Sequence, residues 1–246
     1  MKNNLQLHTE AIRLRRANGY GSTEPVDVEG LLLSHETYTL VRLPMTKHIS
    51  GMCIIDGDSR IVAVNSGMSL GRQRFTMAHE LYHIEIEHTS QGVICKTGTL
   101  SDSEKEADQF ASYFLLPYDA LDWFIDKYAV RRWTLDFIIK LSQLFRMSFQ
   151  AILFRLYQED RITKNEYQNW MNQNVVSLVG DMGIDMTLYM KSLEEEQEVS
   201  YGQYCRLLEQ ARQRGRISES LYRQFATEGF CDERWRRLTR EAIVYD

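Results

Sequence analysis

The sequence predicts an α+β fold: a small, mostly antiparallel sheet packed with helices, followed by a helical C-terminal part. Three observations predict it. Short runs rich in Val, Ile and Thr lie at Tyr38–Leu43, Gly51–Asp56 and Arg60–Asn65. Helical spacing of apolar residues precedes and follows them. The composition, 43% hydrophobic and 26% charged over 246 residues, is that of an ordinary globular protein.

Residues 5–17 read as a helix with Leu5, Ile12 and Leu14 on its apolar side, and Gly19 and Gly21 end it. Pro25 suits the first turn of a short second helix through Leu31, Leu32 and Leu33. The three strand candidates follow, the last two joined by the turn signal Asp56-Gly-Asp-Ser59. A helix is expected from Gly71 to His88, with Phe75, Ala78, Leu81 and Tyr82 on its buried side, and a loop from Gly92 onward. In the next helix Ala107, Phe110, Ala111, Phe114 and Leu115 fit the i, i+3, i+4, i+7, i+8 template, and Pro117 closes it. Further helices are expected at 118–129, 134–146 and 148–158, with Thr134 and Ser148 as N-caps. Beyond 160 the pattern is mixed. Glu194–Glu198 reads as a solvated acidic run, and 201–214 and 218–230 as helices separated by Gly215. The organisation expected is a core of residues 1–130, a helix-turn-helix-like segment at 131–160, and a helical C-terminal domain at 161–246.

The net charge of -5 gives no overall basic signature for nucleic acid. Residues 206–240 hold nine Arg and no Lys against five acidic side chains, a local basic bias. In 134–158, Gln143, Arg146, Gln150 and Arg155 do not make a strong basic recognition face, so the helix pair reads as packing and direct nucleic-acid binding is not expected. Cys53, Cys95, Cys205 and Cys231 form no C-x-x-C pair, which argues against a disulfide framework and for a reducing compartment. No apolar run follows Met1-Lys-Asn-Asn, so no signal peptide is read, and the longest apolar runs fall far short of the roughly 20 residues of a membrane span. A soluble, cytoplasmic protein is expected, its oligomeric state open.

One stretch carries chemistry: Arg72-Gln-Arg-Phe-Thr-Met-Ala-His-Glu-Leu-Tyr-His83. It contains H-E-x-x-H. On a helix, His79 and His83 project from one face, and Glu80 sits beside them, able to reach a water without ligating a metal. Two neutral imidazoles and a carboxylate base are what a zinc peptidase needs. A third ligand is required. His88 falls on the far side of the helix. Asp102, Glu104, Glu106 and Asp108 open the following helix. Glu104 and Asp108 stack at i, i+4, as a ligand and a carboxylate that accepts an imidazole N–H would. Ser101-x-x-Glu104 and Ser103-x-x-Glu106 are also both capping boxes, so either glutamate has a purely structural alternative. The spacing leaves Glu104 and Glu106 both open.

These blocks resemble a known family. The Arg72–His83 stretch, Ile61-Val-Ala-Val-Asn65-Ser66 before it, and Glu104-Lys-Glu-Ala-Asp-Gln-Phe-Ala-Ser-Tyr-Phe-Leu-Leu-Pro117 after it are similar, in order and spacing, to the ImmA/IrrE metallopeptidases over residues 5–160. The resemblance implies a minimal zincin-like core in 1–130 and a Zn2+ cofactor held by His79, His83 and Glu104. It also implies Glu80 as catalytic base and Asp108 in support of a ligand. The implied substrate is a helix-turn-helix transcriptional repressor of a mobile element or stress response. Tyr82 departs from the pattern, since many members have Gly there, and a bulky residue would narrow the cleft floor. Arg72, Arg74 and Tyr113 are further candidates, for substrate binding or oxyanion stabilisation, each with a structural alternative. Two other functions fit the same residues: a binding protein that sequesters a repressor without cutting it, and the toxin of a two-gene pair.

Overall fold

The computed structural model of the chain describes residues 2–88, 92–96 and 101–231, without the side chains of Val93 and Lys96. The α+β expectation holds. Two helices, α1 (Asn4–Ala17) and α2 (Val28–Ser34), precede strands β1 (Tyr38–Leu43), β2 (Ile49–Asp56) and β3 (Ser59–Asn65). Then come helix α3 (Leu70–Glu85), strand β4 (Val93–Lys96) and helix α4 (Asp102–Leu115). Helices α5 (Tyr118–Lys127), α6 (Leu135–Phe145), α7 (Phe149–Gln158), α8 (Lys164–Met171) and α9 (Val175–Asp181) follow. Strand β5 (Val199–Gly202) and helices α10 (Gln203–Gln213) and α11 (Glu219–Glu228) complete the described chain.

The five strands run in the order β4-β2-β3-β1-β5. The sheet is mostly antiparallel, but β1 and β3 pair in parallel. This requires the β1–β2 connection to cross the end of β3, and Asn65 pins it there. Its Oδ1 accepts from the Met45 and Gly67 amides (both 3.0 Å), and its Nδ2 faces the carbonyls of Thr46 (3.1 Å) and Ile49 (2.8 Å). Buried backbone groups in an irregular crossover need such partners.

Helix α3 lies across this sheet. Ser69 caps it by accepting from the Arg72 amide, and every residue from Gly71 to Ile84 except Arg72 is buried. Gly71 permits close approach to the α6–α7 turn, since a Cβ there would lie 2.8 Å from the Ser148 nitrogen. One apolar core runs from Leu7 to Tyr189 and takes in α1, α3, α4, α6 and α7. The axes of α6 and α7 bend by 111°, and Arg146 makes the turn in the left-handed region (φ 52°). The outward side of α7 shows Gln150, Phe154 and Gln158, while Arg155 is fully buried. Among the described residues no single helix is long and apolar enough to cross a membrane.

Several expectations need correction. Helix α1 buries Leu7, Ala11 and Arg15, whereas Leu5 is exposed, and α2 starts at Val28, so Pro25 precedes the helix. The loop after Gly92 contains β4, which pairs antiparallel with β2. Helix α3 ends at Glu85, before His88. The start of the expected 201–214 helix is β5, held against β1 by the sheet rather than by its own propensity. Cys205 and Cys231 form a disulfide, with Cα atoms 5.7 Å apart, because α10 and α11 fold back on each other. Cys53 and Cys95 stay as buried thiols. Arg234, Arg236, Arg237 and Arg240 of the basic segment lie outside the described residues.

Candidate metal centre

Helices α3 and α4 pack side by side, and their i, i+4 pairs meet face to face. His79 and His83 turn their Nε2 atoms toward each other, 3.2 Å apart. Glu104 closes the group: its oxygens lie 3.3 Å from His79 Nε2 and 3.6 Å from His83 Nε2. Ser101 caps α4 by accepting from the Glu104 amide, yet the Glu104 carboxylate faces the imidazoles instead of completing a capping box.

The outer nitrogens of both rings are committed. His79 Nδ1 donates to Asp108 Oδ1 (2.8 Å), and His83 Nδ1 donates to Glu87 Oε2 (2.6 Å). Glu87 in turn accepts from Ser103 Oγ (2.7 Å). A carboxylate can only accept, so each Nδ1 carries hydrogen and each Nε2 presents a lone pair. Two lone pairs and a carboxylate then converge on one buried point, which is unfavourable unless a proton or a metal cation sits there. A tetrahedron with ligand distances of about 2.0–2.2 Å has edges of about 3.3–3.6 Å, the scale of these separations, with Glu104 facing His79 through Oε2 and His83 through Oε1. The residues therefore fit a zinc-sized ion.

Where no ion competes for its lone pair, burial disfavours charge on His79, but the hydrogen bonds to Asp108 and Glu104 outweigh it and push its pKa up to about 10. A proton held this way stabilises the fold fully below the ordinary histidine value, and that contribution is lost as pH rises toward about 10. A metal must displace that proton. The rise in melting temperature produced by zinc should therefore grow from about pH 6 to about pH 8, read by calorimetry with and without the metal.

Glu80 lies one residue along α3 and is completely buried. Neither carboxylate oxygen has a nitrogen or oxygen donor, and burial pushes its pKa up. The thiols of Cys95 and Cys53 and the rings of His79 and His83 are its polar surroundings. Gly51 on β2 makes room for it. A Cβ at 51 would lie 2.5 Å from Thr76 Cγ2, 2.7 Å from the Ala63 carbonyl and 3.0 Å from Glu80 Oε1. Gly51→Ala should cost about 1–3 kcal/mol of stability, measured by denaturant unfolding. Asp108→Ala should weaken metal binding about 10–100-fold with all ligands retained, measured by chelator competition.

The other candidates fall elsewhere. Glu106 points away, accepting from the Lys2 amide (2.6 Å) and from the Tyr82 hydroxyl. Tyr82 is buried between α3 and α4 against Phe110, its ring edge-on to His83, so it fills the helix interface. Arg74 donates to the Val26 carbonyl (2.7 Å) and pairs with Asp27, tying α3 to α2. Arg72 stacks over Phe75. Tyr113 is fully buried, with its hydroxyl against that of Tyr118. His88 is exposed in the left-handed region (φ 53°). Two residues near the centre are not among the site candidates read from the sequence. Glu87 stands i+4 from His83, a spacing that could have revealed it. Cys95 had no local signal.

A family model described as the IrrE N-terminal-like domain (Peptidase_M78) matches residues 34–157, a span containing every residue of this cluster. The chain belongs to this family. Membership supports a metal-binding domain of the IrrE/ImmA metallopeptidase type. Among solved structures, this IrrE-type chain is similar to a Mycobacterium tuberculosis transcriptional regulator at 18% identity and a TM-score of 0.42. The match covers 62% of this chain and 46% of that one, so the chain spans less than half the regulator's length. No functionally curated protein matches.

Proposed function

We propose that the chain is a zinc-dependent endopeptidase that hydrolyses a peptide bond in a protein substrate, a helix-turn-helix transcriptional repressor. One observation carries the reading: His79, His83 and Glu104 converge within 3.2–3.6 Å beside the buried carboxylate of Glu80, which has thiols but no nitrogen or oxygen donor against it. A zinc ion held by these three residues supplies Lewis-acid chemistry, acidifying water and polarising a carbonyl. Glu80 takes the proton from the attacking water and delivers it to the leaving amine nitrogen. Burial raises its proton affinity toward what a base working near neutral pH needs. Asp108 and Glu87 fix the tautomer and direction of the two rings.

The repressor rests on family resemblance, and a cytoplasmic setting rests on that substrate alone, since the Cys205–Cys231 disulfide withdraws the cysteine argument for a reducing compartment. The test is incubation of the zinc-loaded protein with the helix-turn-helix repressor encoded beside its gene. Mass spectrometry should find two fragments whose masses account for the intact repressor plus one water. Intact repressor, released from DNA equally by wild type and Glu80→Gln, would make the protein a non-cleaving binder instead.

A further inference from the structure

We propose that Cys95 is a displaceable fourth ligand of the metal centre, so that the described conformation is a closed, latent form of the peptidase. The inference rests on the zinc reading above and adds a regulation to it. Cys95 lies on β4, the edge strand, directly opposite Gly51 of β2. Opposed residues of an antiparallel pair share one face of the sheet. At this level the sheet has no side chain on β2, and α3 comes close enough that a Cβ on Gly51 would meet Thr76 and Glu80. The Cys95 thiol enters the space left there.

The ligand atoms of His79, His83, Cys95 and Glu104 all lie within 4.8 Å of one another, and all four residues are buried. Glu80, fully buried with neither oxygen paired to a nitrogen or oxygen donor, borders the same space. Zinc accepts sulfur, nitrogen and oxygen ligands alike, and the number of protein ligands separates two kinds of site. Three leave a position open for chemistry, whereas four close it. Two histidines, a glutamate and a cysteine are a complete set.

Opening is a ligand exchange without electron transfer. The bond between the thiolate sulfur and the metal would break, the sulfur would take a proton from solvent and become a thiol, and a water oxygen would enter the vacated position. Among the described residues β4 pairs with β2 only, and Ser50 Oγ also donates to the Cys95 carbonyl (3.3 Å), so shifting the strand disrupts one ladder and that bond.

Two measurements on the full-length protein test this. Loaded with Co2+, the wild type should show a near-ultraviolet thiolate-to-cobalt charge-transfer band. Cys95→Ser should abolish that band and Cys53→Ser should keep it. The zinc forms are then titrated with acetohydroxamate, a small chelator of open zinc positions. A site open less than about a tenth of the time binds it about tenfold more weakly, so Cys95→Ala should bind at least about tenfold more tightly than wild type. Cobalt bound at one equivalent without the band overturns the ligand assignment. A band accompanied by equal hydroxamate affinities overturns the latency. Failure to bind cobalt at all overturns the zinc reading itself, together with this inference.

Discussion

Glu80→Gln is expected to lower the rate of repressor cleavage by about 10²–10⁴-fold while zinc content stays at the wild-type level. Glutamine keeps the shape of the side chain and removes both the charge and the proton-accepting oxygen. Glu80 is not placed as a ligand: the converging atoms belong to His79, His83 and Glu104. Its carboxylate is buried with no nitrogen or oxygen donor, a costly arrangement that structure alone does not repay. Thermal stability of the variant should therefore equal or exceed that of wild type, because a neutral amide is cheaper to bury than a charge whose hydrogen-bond donors are only weak thiols. Rate, metal content and melting temperature, measured on one preparation, separate a catalytic role from a structural one. Wild-type cleavage by Glu80→Gln would remove Glu80 from the chemistry.

The second large effect is on metal binding, and it distinguishes two glutamates that the sequence left open. Glu104→Ala should lower zinc affinity by more than the roughly 10–100-fold that loss of an outer hydrogen-bond partner costs. Glu106→Ala should leave the affinity within a few-fold of wild type, since its carboxylate serves the Lys2 amide and the Tyr82 hydroxyl on the other side of α4. Competition against a chromogenic chelator reads both. The opposite ranking would move the ligand from Glu104 to Glu106 and require α4 to turn by about half a revolution.

What the sequence made legible follows from periodicity. His79 with His83, and Glu104 with Asp108, are i, i+4 pairs, and a helix makes such pairs neighbours whatever surrounds them. Strands β1 to β3 carried their own Val, Ile and Thr signal. Periodicity is silent about pairing across space. Nothing local in β1 and β3 says that they run parallel; the crossover clamped by Asn65 decides it. Strand β4 is four residues long and follows glycine, so it reads as loop, and its place at the sheet edge comes from β2. Cys95 was scored for spacing to other cysteines, whereas its neighbours are a helix pair on either side of it in sequence. The Cys205–Cys231 bond likewise depends on α10 and α11 folding together across 26 residues. In each case the missing information was a long-range contact.

The most direct measurement is a crystal of the zinc-loaded protein with diffraction data collected at the zinc absorption edge. The account predicts one anomalous peak in the core, about 2.0–2.2 Å from His79 Nε2, His83 Nε2 and a Glu104 carboxylate oxygen, with Glu80 beside it but outside bonding distance. A peak ligated by other residues, or no peak between α3 and α4 in a zinc-loaded crystal, would contradict it.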